Sequence, residues 1–180
     1  ILVIPDTHNE SNPKTCFLCI NRMHISSSSE ETGTISSILL LANSGTKTVK
    51  LVDRTFNCSN ERAVEILRFI NDSYGKEIPE GVCFHFEISA DILKDSFIDE
   101  VKRAPAGAFQ FEIGIQSLNA STLDAIGRKS NKDKLFENIA KLAAIRNCHI
   151  HTDLIAGLPH ETLQSFINGF NESYSLGADM

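Results

Sequence analysis

Short apolar runs rich in β-branched and aromatic residues recur at Thr48 to Phe56, Val82 to Ser89, Phe109 to Ser117 and His149 to Gly157, and each predicts a buried strand. The opening Ile1 to Ile4 is apolar enough for one more. Between these runs the spacing changes to that of helices. Ile35, Ile38, Leu39 and Ala42 share one face, and Ala63, Ile66, Leu67 and Ile70 share another, behind Asn60 as a candidate N-cap. Phe97, Ile98 and Val101 mark a third helix, and Asn119 or Ser121 could cap a short one through Ile126. Leu135, Ile139, Leu142 and Ala143 line a longer one, and Thr162 opens a last helix with Phe166 and Phe170 directed inward. Gly45, Gly107 and Gly157, with Pro79, Pro105 and Pro159, fall at the expected boundaries. Ser26 to Ser29 reads as an exposed loop.

Strands alternating with helices of this length require crossover connections and a parallel sheet. Both a partial or full β/α barrel and an open doubly wound sheet satisfy that pattern. Composition agrees with one domain spanning residues 1–180, since 42% hydrophobic and 22% charged residues are those of a chain that buries one core. The net charge of −6, with both signs interspersed, disfavours a nucleic-acid backbone or an anionic membrane as partner. Lacking an apolar run of about 20 residues or a basic, leader-like start, the chain is expected in the cytoplasm. It starts on Ile1 and ends on Ala178-Asp179-Met180, from which the expectation is a piece of something longer.

The five cysteines are odd in number and scattered, which argues against a disulfide framework. Cys16-Phe17-Leu18-Cys19 is the exception, because two thiolates at that spacing on a turn can grip one metal or cluster edge. Buried thiols, a dithiol redox pair and half of a zinc site are its other readings, and Cys58, Cys83 and Cys148 have no convincing partner for a zinc site. His149 and His151 share one side of a strand and read as its surface. More informative are Asp53, Glu87, Gln116 and Asp153, polar residues in or near buried strands, several of them toward the C-terminal edge where β/α folds assemble ligand sites. Buried polar groups are costly unless satisfied, so four such positions suggest one convergent site. Local pairing, for instance with Arg54 or Arg128, is the alternative for each.

Taken in order, TVKLVDRTFN at Thr48 to Asn57, FHFEISA at Phe84 to Ala90, FQFEIGIQS at Phe109 to Ser117, AIGRK at Ala125 to Lys129 and DLIAGLP at Asp153 to Pro159 resemble the barrel of radical S-adenosylmethionine (SAM) proteins. The resemblance runs from about Asn12 onward. It is to the oxygen-independent coproporphyrinogen oxidase-like proteins, and especially to the group that also carries a cobalamin-binding domain. It implies a partial parallel TIM-like barrel, incomplete at its C-terminus with the last strand missing, SAM and a [4Fe-4S] cluster as cofactors, and cobalamin only through a domain outside this chain. Gln116 and Asp153 would then bond the ribose hydroxyls of SAM, Glu87 and Arg128 its methionine amino and carboxylate ends, and Ile155 and Gly157 would lie along the adenine.

The same resemblance places Cys16 and Cys19 at the second and third positions of a Cys-x3-Cys-x2-Cys cluster loop after the first strand, with Asn12 at the first. A neutral, hard amide is a poor iron ligand beside a thiolate. Delivery of Cys58 to the cluster is a further possibility, and Asp53 to Asn57 occupy the region of the family's Gly-Gly-Glu-like turn. The resemblance implies reductive cleavage of SAM to a 5′-deoxyadenosyl radical that attacks a small-molecule substrate, with flavodoxin or ferredoxin as external electron donor. The competing readings are a degenerate, cluster-less barrel that binds SAM or another nucleotide or serves as a scaffold, a mis-started reading of an intact enzyme, and a dithiol oxidoreductase on Cys16 and Cys19. No catalytic residue is assigned.

Overall fold

A computed structural model describes residues 15–18 and 28–179. Five parallel strands, β1 (Thr15–Leu18), β2 (Thr48–Leu51), β3 (Cys83–Ile88), β4 (Phe109–Gln116) and β5 (His149–Leu154), lie side by side in chain order. The helices are α1 (Ser28–Ala42), α2 (Asn60–Ser73), α3 (Asp95–Arg103), α4 (Ala120–Ala125), α5 (Lys132–Ile145) and α6 (Leu163–Tyr174). That order decides between the two architectures. Right-handed crossovers taken always in the same direction put every helix on one face of the sheet, as in an arc of a β/α barrel. A doubly wound sheet would need a reversal of strand order, and the sheet has none among the described residues.

Strand alternation gives the arc two unlike faces. Outward residues Val49, Leu51, Phe84, Phe86, Ile88, Phe109, Phe111 and Ile113 are buried under the helices. Phe86 sits at the centre, its ring centroid 4.4 Å from Phe56 and 5.7 Å from both Phe109 and Phe111. Helices α2 and α3 meet over Glu100, only 5% exposed, which accepts from Arg68 at 3.0 Å and Arg103 at 2.6 Å. Beyond α6 the chain returns to the outer edge of β5, where the Asp179 N–H donates to the Ile150 carbonyl at 2.9 Å.

Several expected boundaries move. Strand β2 ends at Leu51, and Phe56 enters the core from a 3-10 turn, Phe56–Cys58. Strand β5 ends at Leu154, before the turn in which Gly157 takes φ +83°. Asn60 does not cap α2: Ser59 holds the N-cap position and the Asn60 amide donates to Ser96 instead. Asn119 does cap α4, accepting from Ser121 N–H, and Thr162 caps α6 in a capping box. Helix α1 begins at Ser28, so the expected Ser26 to Ser29 loop is helical from there onward. On α6 the buried residues are Gly169 and Ser173, while Phe170 is 52% exposed, contrary to the inward placement expected of it. Gly169 lies against Leu118, so the helix approaches through its small residues. Ile1 to Ile4 lie outside the described residues.

Candidate functional site

The inward face of the same strands is polar. Lys50 on β2, His85 and Glu87 on β3, Gln110, Glu112 and Gln116 on β4, and His151 and Asp153 on β5 alternate with the outward apolar set. Toward the C-terminal ends of the strands this face opens into a cavity of about 390 Å³. Glu87, Glu112, Gln116 and Asp153 line it from the strands, and Arg54, Arg128 and Lys129 from the loops. Acidic groups thus stand on strands and cations on the surrounding loops.

Backbone geometry aims the side chains. Pairing of β4 with β5 passes from Gly114↔Asp153 to Gln116↔Leu154, a bulge that skips Ile115. Gln116 there takes φ +70°, a left-handed conformation costly for a residue with a Cβ and typical of sites where function fixes the backbone. Its amide folds back over Gly114, where an added Cβ would collide with Gln116 Nε2. Arg128 is delivered by the end of α4. Gly127, at φ +66°, donates to Asp124, and Arg128 N–H donates to Leu123 at 2.9 Å, a Schellman ending. The Arg128 guanidinium then donates to the Gly114 carbonyl at 2.5 Å. The end of β3 is clamped by buried Asn57, whose amide donates to the Ser89 carbonyl and accepts from Ser89 N–H, both at 2.9 Å.

Electrostatics couples the floor. Lys50 Nζ lies 3.3 Å from Glu87 Oε1 and 3.1 Å from Glu112 Oε2, and His85 Nε2 lies 2.9 Å from the same Glu112 oxygen. Glu112 and Asp153 stand as neighbours in the cavity lining, each shifting the titration of the other. Burial pushes the Glu112 carboxyl up, but the Lys50 ammonium, with His85 and Asp153, more than offsets this and holds it below its ordinary value. Asp153 moves the other way, raised by burial and by the neighbouring Glu112 charge. Burial, then Lys50, depresses His85, while Lys50 itself is raised because its two carboxylates outweigh the cost of burial.

Of the residues singled out from sequence, Glu87, Gln116, Arg128 and Asp153 therefore converge on one cavity. Asp53 does not join them: it pairs with Arg62 of α2 at 3.6 Å, whereas Arg54, considered as its partner, lines the cavity. Ile155 and Gly157 lie past β5 outside the cavity lining, with Ile155 44% exposed. Cys16 falls inside β1, its backbone in register with Val49, rather than on a turn after the first strand, because Thr15–Leu18 pairs along the edge of β2. Cys19 and Asn12 lie outside the described residues. Cys58 is exposed, and burial pushes the Cys83 and Cys148 thiols up to about 11. Among the described residues no group of three or more His, Cys, Asp or Glu could hold a metal, and no helix is long and apolar enough to cross a membrane. Lys50, Glu112 and Asn57 were not singled out. The first two carried the same signal as Glu87, a charge inside an apolar strand.

Solved structures share this fold. The radical SAM methyltransferase TsrM from Kitasatospora setae, with cobalamin and a [4Fe-4S] cluster bound, superposes with a TM-score of 0.65 at 17% identity, over 82% of this chain and 27% of that one. Coproporphyrinogen III oxidase (HemN) from Escherichia coli, a radical SAM enzyme, gives 0.64 at 14% identity, over 84% and 35%. SuiB from Streptococcus suis gives 0.62 at 9% identity, over 83% and 32%. The chain thus spans roughly a quarter to a third of these proteins. No curated protein sequence matches it. The sequence pattern of the radical SAM superfamily matches residues 13–170, and the cofactors that membership implies are the SAM and [4Fe-4S] cluster expected from the motifs. With that match over most of its length, on a sheet whose cavity gathers the residues of those motifs, this chain belongs to the radical SAM superfamily.

Proposed function

We propose that this chain is the SAM-binding core of a radical SAM enzyme acting on a small-molecule substrate. The observation that carries the reading is the convergence of Glu87, Gln116, Arg128 and Asp153, from β3, β4, the loop after α4 and β5, on one polar cavity at the C-terminal strand ends. Their chemistry matches the ligand. Glu87 accepts from the methionine ammonium, Arg128 forks onto the carboxylate, and Gln116 with Asp153 bonds the ribose hydroxyls. Ile155 and Gly157, on the loop past β5, are assigned the adenine contact.

The cluster fits less well. Cys16 and Cys19 would supply two of its thiolates, but Asn12 does not fit the third place, so no step is assigned through it. In the family the cluster supplies the electron that cleaves SAM, and flavodoxin or ferredoxin in the cytoplasm would be its source. The second reading, favoured by Asn12, is a cluster-less module that binds SAM without cleaving it.

Two measurements test this. Calorimetric titration with S-adenosylhomocysteine, which keeps the ribose, ammonium and carboxylate, should show binding that Asp153→Ala weakens by about tenfold or more. Unaltered affinity in that variant would sink the pocket assignment. Anaerobic reconstitution with iron and sulfide, followed by iron counting and paramagnetic resonance, then separates the readings. About four irons per chain would mark the enzyme, and none the cluster-less module.

A further inference from the structure

Lys50 is the one cation on the inward face of the described strands β2 to β5. It stands below the cavity rather than in its lining, half-buried. Its ammonium reaches Glu87 Oε1 at 3.3 Å and Glu112 Oε2 at 3.1 Å, and Glu112 stands beside Asp153 of the neighbouring strand in the cavity lining. Three neighbouring strands are thereby tied at their polar face by one side chain from β2.

We propose that Lys50 is a positioning residue of this site: its ammonium ties Glu87 to Glu112, and through Glu112 to Asp153, fixing the two acidic groups that grip opposite ends of SAM. The proposal rests on the SAM-binding reading above. Glu87 and Asp153 are held apart by the width of the β4 strand between them, and neither can set the other's orientation directly. Without Lys50, three carboxyl groups would face one another on adjacent strands; the other described groups that can carry positive charge there are His85, His149 and His151 on the inward face and Arg54, Arg128 and Lys129 at the mouth. Like charges so placed cannot all stay ionised, and protonated carboxyls would seek new partners among themselves rather than face the ligand.

The tie is tested with Lys50→Met, Lys50→Arg and Glu112→Gln in the whole chain. Two readouts are used: calorimetric affinity for S-adenosylhomocysteine from pH 5 to 9, and carbon-13 NMR titration of the Glu112 and Asp153 carboxyls. Lys50→Met is expected to weaken binding at neutral pH by about tenfold. It should also move the acid limb of binding, and the apparent titration midpoints of the carboxyl pair, upward by about one unit. Lys50→Arg, which keeps the charge, should stay within about threefold of the parent. Glu112→Gln cuts the same chain one link further on and should weaken binding comparably, so it answers the question if Lys50→Met does not fold. Parental affinity and unmoved midpoints in Lys50→Met would overturn the proposal, as would Lys50→Arg performing no better than Lys50→Met, or Glu112→Gln binding as the parent does. Absence of binding by the parent would instead refute the SAM reading, and the NMR titration would still judge whether Lys50 governs the pair.

Discussion

Alternate residues of the same strands serve opposite ends in this molecule. On β3, Phe84, Phe86 and Ile88 face the helices and are almost fully buried, while His85 and Glu87 face the lumen and are joined to Lys50 and Glu112. The outward face is held by non-directional burial, about 25 cal/mol per Å² of apolar surface, and tolerates a side chain shifting by a few tenths of an ångström. The inward face is held by directional contacts near 3 Å, which contribute little net stability but fix where each polar atom points. A strand with period two can therefore keep the fold and the site on separate residues one position apart.

Phe86→Ala should break the outward face most severely. Removing a ring at the centre of the aromatic cluster is expected to cost about 3–5 kcal/mol of unfolding free energy, measured in denaturant. The folded fraction should still bind S-adenosylhomocysteine with parental affinity. A cost under about 1 kcal/mol, or a loss of affinity in the folded protein, would show that the two faces are not separable in this way.

Gly114→Ala is the matching change on the inward face. Its new Cβ meets the far end of a flexible side chain, Gln116 Nε2, so the backbone need not move and stability should change by less than about 1 kcal/mol. Affinity should nevertheless fall about tenfold, because the displaced amide loses its aim at the ligand. Equal losses of stability and affinity would place Gly114 with the outward, structural set.

Much of this division was legible before any coordinates. Apolar runs bounded by Gly and Pro mark the buried strands, though not which of their residues face the helices, and Asp53, Glu87, Gln116 and Asp153 stand out as polar interruptions in or near those runs. Lys50 and Glu112 interrupt their strands just as plainly. Their meaning depends on pairing across 62 positions of sequence, and that appears only once β2, β3 and β4 are known to be neighbours in this order. Asn57 had no signal at all, since it acts on the backbone of Ser89 and no periodicity marks such a clamp. Phe170 was misplaced for a different reason: amphipathic reading selects large apolar residues, whereas α6 docks through Gly169 and Ser173 and leaves Phe170 stacked on Tyr174 at the surface.

Gln116→Gly sharpens the contrast from the side of strain. A left-handed backbone costs a residue with a Cβ about 1–2 kcal/mol, and glycine relieves that at a cost of roughly 0.5–1 kcal/mol in its own chain entropy. The variant should therefore unfold with unchanged or slightly higher free energy, by up to about 1 kcal/mol, while binding S-adenosylhomocysteine more weakly. A clear destabilisation would mean that the Gln116 side chain is structural and that its φ of +70° is not held for the ligand.

The smallest expected effect tests whether the inward charges act as one network, and it is read from pH. His85 is depressed below its ordinary 6.5, so its contribution is present above that value and lost as pH falls through the folded one. Glu112, held below 4.5, adds a second loss in a lower window as pH falls through its folded value. Asp153, raised above 3.8, has the opposite sign: its contribution is present below that value and lost as pH rises through the folded one, so it partly cancels Glu112 there. Of these three groups, His85 is the one that acts in the upper limb. His85→Gln should accordingly remove the decline in melting temperature just below pH 6.5, a change of about 2 °C, and leave the lower window in place. A parallel offset of the whole curve would instead mean that His85 contributes by packing and that its proton is not linked to folding.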